Sequence, residues 1–365
     1  VLLKALLLFI AVDCLWAVLD PTPRLAQLSL YNHVFPGRQR LPYGDRPDLA
    51  YNLSLFSLEA MFASHEIAAP KAEIEFRVVL IGDSATWGFL LRPEETLSAY
   101  LNAAQLHAPD GRWLRAYNLG YPTMSLTKDL LMLDLARRYQ PDLIIWLVTL
   151  ESFPRDKQLA SSSLLQHNFQ AVRALIERYN LRLDANDPQF VTATFWDATL
   201  VGQRRALADL LRLQLYGVMW AATGIDQYYP ASYEPPQRDL DADETFHNLQ
   251  PPRLNVEDLA FEVLDAGVNA AQGVPVLIVN EPIYLSDGRN SDIRYNFFYP
   301  RWAYDQYRDL LAGRCGMNEW RCLDVWDLVP PQEYTNSAVH LTPAGEALLA
   351  VEIVEALRTR FGIMP

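Results

Sequence analysis

Arg77-Val-Val-Leu-Ile-Gly82-Asp83-Ser84 packs four aliphatic residues between an arginine and a glycine. A short unbroken apolar run closed by glycine is the pattern of a strand buried on both faces and followed by a tight turn. The pattern recurs along the chain. Tyr117-Asn-Leu-Gly120 ends a second strand, Pro141-Asp-Leu-Ile-Ile-Trp-Leu-Val148 is a third, Gly273-Val-Pro-Val-Leu-Ile-Val-Asn280 a fourth and Cys322-Leu-Asp-Val-Trp326 a fifth. Helical periodicity lies between them at Glu94 to Leu106 and Leu126 to Tyr139, and again at Pro343 to Phe361. Strands alternating with helices predict an α/β fold, a parallel five-stranded sheet with helices on both faces. Ligands in such sheets bind beyond the carboxyl ends of the strands. This singles out Asp83, Ser84, Gly120, Thr149, Glu151, Asn280 and Glu281, with the segment before the final helix.

On either side of this pattern the chain changes character. Residues 152–270 interrupt the alternation and read as a helical insertion in a domain spanning 76–361. Its Trp196 to Tyr229 stretch carries Leu207, Leu210, Leu211, Leu213, Leu215, Tyr216, Val218, Met219 and Trp220. That stretch fits a core or subdomain helix, or contact with a membrane surface or an apolar substrate. Residues 20–75, rich in Pro, Tyr, Asn and Arg, read as a connecting arm with one helical patch at Leu53 to Phe62. Residues 1–19 are apolar apart from Lys4 and Asp13, close to the roughly 20 residues that cross a bilayer. Lys4 sits where it can snorkel; Asp13 calls for a partner helix or a headgroup position. No small-residue cleavage site follows, so an uncleaved transmembrane anchor is expected, with a membrane-protein partner for this helix as one way to satisfy Asp13. Arg24, Arg38 and Arg40 oppose the orientation Lys4 suggests, and the nature of the downstream domain favours an extracytoplasmic location.

Half of the 365 residues are hydrophobic, which provides for a sizeable core. Acidic residues outnumber basic ones 44 to 31, a formal charge of −13 that argues against nucleic-acid binding. Three cysteines exclude a disulfide framework and a four-cysteine zinc site. Cys315 and Cys322 are spaced to close a small disulfide loop in an oxidising compartment. No His/Asp/Glu cluster shows metal-ligand spacing, so no metal or cofactor is expected.

Ser84, at a strand-to-helix turn, exposes its hydroxyl at the sheet edge, with its backbone N–H at a helix start. A serine there needs a base. Among six histidines, His340, in Asn336-Ser-Ala-Val-His340-Leu-Thr-Pro-Ala-Gly345, lies just before the last helix. His33, His65, His107, His167 and His247 have no strand-end context and read as surface or structural residues.

Gly82-Asp83-Ser84 followed by Trp87-Gly88, the Asn118-Leu119-Gly120 turn, Pro141-Asp142, and His340-Leu-Thr-Pro-Ala-Gly345 together resemble the SGNH/GDSL hydrolases, over about 76–150 and 274–361. The resemblance implies a three-layer α/β/α fold of the flavodoxin-like kind and a serine esterase or acyltransferase, with Ser84 as nucleophile and His340 as general base. It also implies an oxyanion hole from the N–H groups of Ser84 and Gly120 and an Asn side chain, whose place Glu151 takes here. An ionised Glu151 would repel an oxyanion; one protonated through burial would donate. The family's acid before the histidine is replaced by Ser337, preceded by Asn336, which leaves Glu281, Glu333 and Glu151 as candidate acid partners. Asn280 and Arg294 are candidate substrate-binding residues, Arg294 for an anionic group. Two functions are compatible with this pattern. One is a membrane-anchored enzyme acting on an acyl or acetyl ester of an envelope glycan or lipid; the other is a degenerate binding or structural subunit of a membrane complex.

Overall fold

The computed structural model describes the whole chain except residues 31, 33, 36, 45–54, 161 and 224–226, together with the side chains of 220–222. In order, the principal elements are α1 (Leu2–Leu19), β1 (Glu75–Ile81), α2 (Ser84–Trp87), α3 (Leu97–Ala103), β2 (Trp113–Asn118), α4 (Leu126–Ala136), β3 (Leu143–Val148), α5 (Arg204–Thr223), α6 (Phe261–Ala270), β4 (Val276–Asn280), α7 (Arg301–Met317), β5 (Arg321–Asp324) and α8 (Pro343–Phe361). They fall into two compact units.

The larger unit holds residues 70–162, 171–185 and 229–365. Its sheet is wholly parallel, in the order β2-β1-β3-β4-β5. This is the doubly wound order in which the chain reverses direction across the sheet between β1 and β3. Both faces are covered, which is why the strands read as continuous apolar runs. Val78, Leu80, Leu143, Ile145 and Leu147 face Leu97 and Leu101 of α3 and Leu349, Ile353 and Leu357 of α8 in one core layer. The alternate residues face the other way, where the Trp146 indole fills the place a Cβ would take on Gly267 of α6. The strand ends are in register, with Ile81 opposite Trp146, Val148 opposite Asn280 and Asn280 opposite Asp324. The residues that follow therefore line one rim.

The smaller unit collects residues 1–69, 163–170 and 186–228. This departs from the expected boundaries in two ways. The stretch 20–75 is not a bare connector: Leu41, Met61 and Ile67 are fully buried, and Ser57 caps a helix at Leu58–Ser64. Positions 53 and 54 of the expected Leu53–Phe62 helix lie outside the described residues. The insertion 152–270 is divided between the units. Helix ends also moved inward. Thr96 caps α3, so the turn at Pro93–Glu95 is a separate 3-10 helix, and Arg137–Tyr139 closes α4 as another. The apolar stretch from Trp196 is a short helical turn at Phe195–Ala198 and a long helix from Arg204. Its Leu213 is buried, but Leu211, Leu215, Tyr216, Val218 and Met219 are exposed, so most of this stretch is not core.

Candidate active site

β1 delivers Ser84 through a turn that tolerates little change. A Cβ on Gly82 would collide with the Thr86 hydroxyl and sit 3.2 Å from the Leu147 carbonyl. The Asp83 carboxylate accepts the Ala85 N–H at 2.7 Å and so caps α2. Gly88 ends that helix in the left-handed region, at φ 83°. The fully buried Lys128 donates to the Gly82 carbonyl at 2.6 Å and pairs with Asp129, which also accepts the Trp146 indole N–H at 3.1 Å. The turn is thus held from below by a buried ion pair.

His340 arrives from the other end of the sequence. Tyr334 and Leu341 form an antiparallel bridge, the Thr335 N–H donates to the His340 carbonyl at 2.9 Å, and Thr342 caps α8. The result places His340 Nε2 2.8 Å from Ser84 Oγ, between residues 256 apart in sequence. Phe89 packs its ring 5.0 Å from the imidazole. Burial pushes the imidazole down to about 4, so it is neutral at neutral pH and can accept a hydrogen bond from the Ser84 hydroxyl at Nε2. The remaining proton is then on Nδ1, which faces Asn336 Oδ1 at 3.5 Å, the outer limit of a hydrogen bond. The Ser84 N–H has no acceptor among the described residues and lies at the start of α2.

The other expected site residues are placed differently. Gly120 does approach α2, since a Cβ there would lie 2.5 Å from the Trp87 nitrogen. Its N–H, however, already donates to Asn118 Oδ1 at 3.0 Å, while Asn118 Nδ2 donates to the Thr86 carbonyl at 2.8 Å. None of the three candidate acids, Glu281, Glu333 and Glu151, is bonded to His340, whose side-chain partners are Ser84 and Asn336. The Glu333 carboxylate accepts the Thr342 hydroxyl. Glu281 is buried with Oε1 unpartnered, and its carboxyl is pushed well up, first by burial and then by the nearby Asp83, Asp129 and Glu346. Asn280 is buried too. Its amide donates to Asp324 at 2.8 Å and its oxygen accepts the Tyr307 hydroxyl at 3.1 Å, so it joins β4 to β5 and α7. The Arg294 guanidinium donates to three backbone carbonyls, of Asp243, Asn296 and Phe297, and is not open to an anion.

Glu151 carries the largest surprise. It follows β3 and is mostly buried, yet it is not a neutral donor. Burial pushes its carboxyl up, but hydrogen bonds and charge from His247 and Lys157 outweigh that and hold it below the usual carboxylate range. His247 Nε2 lies 3.0 Å from Oε2, and Lys157 pairs with Oε1. The Tyr299 hydroxyl bonds Thr149 Oγ1 at 2.9 Å and accepts the Glu151 N–H at 3.4 Å, which fixes the turn. His247 has no local sequence signal. It is carried on a segment tied down by Arg294 at Asp243 and by the Trp302 indole, which donates to the Glu244 carbonyl at 2.6 Å.

No known family profile matches the sequence, and no curated protein does. Solved structures align with it at low identity. A lipolytic protein of the G-D-S-L family from Veillonella parvula matches at 11% identity and a TM-score of 0.37, over 78% of this chain and 98% of that one. The carbohydrate acetylesterase Est24 from Sinorhizobium meliloti matches at 13% identity and a TM-score of 0.35, over 78% of this chain and 99% of that one.

Proposed function

We propose that the chain is a serine-dependent ester hydrolase or acyltransferase. The 2.8 Å contact between Ser84 Oγ and His340 Nε2, at the carboxyl rim of a parallel sheet, is the observation that carries this reading. In the reaction Ser84 Oγ attacks the ester carbonyl carbon while its proton passes to His340 Nε2. The carbonyl oxygen becomes an oxyanion facing the Ser84 N–H. Collapse expels the alcohol, which takes the proton back from His340, and leaves an acyl-serine. Water then releases the acid, or a sugar hydroxyl accepts the acyl group. His247 and Lys157 both bond Glu151, so the carboxylate that stands in for the family's amide does not present a bare charge to the oxyanion.

We further propose that α1 anchors the chain and that the larger unit lies outside the cytoplasm, with an acylated envelope glycan or lipid as substrate. Of the described helices, α1 alone is long and apolar enough to cross a membrane. The Cys315–Cys322 disulfide fits an oxidising compartment.

A second reading, a binding subunit on the same fold, draws on specific observations: His340 has no carboxylate beside it, and the Gly120 N–H is engaged. A fluorophosphonate probe and a short nitrophenyl ester separate the two. The enzyme reading expects labelling and turnover that vanish in Ser84→Ala. A native protein that neither labels nor turns over at any pH leaves the binding subunit.

A further inference from the structure

In the smaller unit, α1 is hydrogen-bonded to residues nearly two hundred positions away. The Asp13 carboxylate accepts the Val201 N–H at 2.8 Å, and the Trp16 indole N–H donates to Gln203 Oε1 at 2.8 Å. Gln203 also bonds Thr22, just beyond the end of α1. Immediately before this contact comes a helical turn, Phe195–Ala198, closed by a reciprocal Thr194–Asp197 capping box. Its two aromatic side chains point outward, Phe195 at 49% and Trp196 at 69% exposure. Immediately after it, Arg204 and Arg205 open α5, both exposed.

The rise of an α-helix fixes the depth of this contact. Asp13 lies six residues before Leu19, about 9 Å along the axis from the end of α1. If α1 crosses a bilayer, whatever bonds to Asp13 and Trp16 reaches that far below the point of exit. Amphipathic segments in the headgroup layer typically bury their apolar side by about 5 to 10 Å. Aromatic rings at that level, flanked by arginines, match the chemistry of the interface: rings toward acyl chains, guanidinium groups toward phosphates.

We propose that residues 195–205 form a second membrane contact, seated in the interfacial layer beside α1, with Phe195 and Trp196 toward the acyl chains and Arg204 and Arg205 toward lipid phosphates. This rests on the reading of α1 as an anchor. It also accounts for Asp13, whose charge would meet a backbone N–H and headgroups instead of hydrocarbon.

The test uses the full chain in vesicles of phosphatidylcholine and phosphatidylglycerol, with Cys14→Ser to remove the free thiol. Single bimane labels are placed at Leu7→Cys, in mid-α1, and at Trp196→Cys. Quenching is compared between lipids carrying a nitroxide near the headgroup, lipids carrying it deep in the chain, and a water-soluble nickel chelate. The expected result is a Leu7 label quenched best by the deep nitroxide. The Trp196 label should be quenched about twofold more by the shallow nitroxide than by the deep one, and weakly by nickel. A deep Leu7 label with a Trp196 label quenched mainly by nickel overturns the inference and leaves the anchor standing. A Trp196 label shielded from all three quenchers also overturns it, in favour of a protein contact. A Leu7 label quenched only by nickel removes the anchor itself, and the inference with it.

Discussion

His340 depends for its basicity on what stands beside Nδ1, and here that is an amide. Asn336 Oδ1 at 3.5 Å can orient the ring but gives little help to the imidazolium that forms when Ser84 loses its proton. Asn336→Asp would supply a charge at the same place. The expected outcome is a rise of roughly tenfold or more in kcat for a short ester, on the scale set by orienting carboxylates elsewhere. The acid limb of kcat/KM should lie near pH 4 in the native protein, following the neutral imidazole, and move upward in the variant as the carboxylate favours the protonated ring. A pH series on both proteins checks this; an unmoved limb means that Asn336 does not govern His340. Lys157→Met should lower kcat by roughly tenfold with KM little changed, because Glu151 is then left with His247 as its one ionic partner among the described residues, and adding Glu151→Gln should restore most of the loss. Ser84 and His340 were legible in the sequence because each sits at a chain position whose backbone role can be read locally, a strand end and a helix start. His247 was not. Its meaning lies in a contact with Glu151, 96 residues away, that exists only after the 240s segment is pinned by Arg294 and Trp302.

Elements differ in how much of themselves they declare. β1, β3 and β4 are buried on both faces, and their unbroken apolar runs identified their carboxyl ends to within a residue and their starts to within two or three. Helix ends declared less, because Thr96 caps from within what reads as continuous periodicity. α5 left two readings open for a different reason: its apolar content is real, but most of it faces outward, and composition does not record direction. Two predictions belong here. Gly88→Ala places a Cβ in a left-handed conformation at the end of α2 and should cost about 1 kcal/mol of stability, read from urea unfolding. Glu346, buried in the first turn of α8, has its carboxyl pushed up from 4.5 to about 8 by burial. The folded protein therefore holds this proton more tightly than the unfolded chain does. Its contribution is fully present below about pH 4.5 and is lost as pH rises through about 8. Glu346→Gln should be the more stable protein at pH 8, by roughly 2 to 4 kcal/mol, and nearly matched to the native chain at pH 5.

On the scale of the whole molecule, the disulfide from Cys315 on α7 to Cys322 on β5 pins an edge strand to the helix that precedes it. Its loop is short, so reduction should cost about 2 kcal/mol by the chain-entropy account, seen as a lower urea midpoint in dithiothreitol that Cys322→Ser reproduces. The division into two units was the least legible feature. Composition along the chain marks 1–69 as unlike the rest, but nothing local says that 163–170 and 186–228 pack with it. This interleaving bears on any attempt to shorten the protein by trimming its front end. Severing the backbone after Asp20 would discard the groups that hold the Val201 amide and share Gln203, so the remainder would keep its sheet while losing the buttress of a region it visits much later. Preparation of the intact polypeptide, not shortening, is the route that preserves both parts.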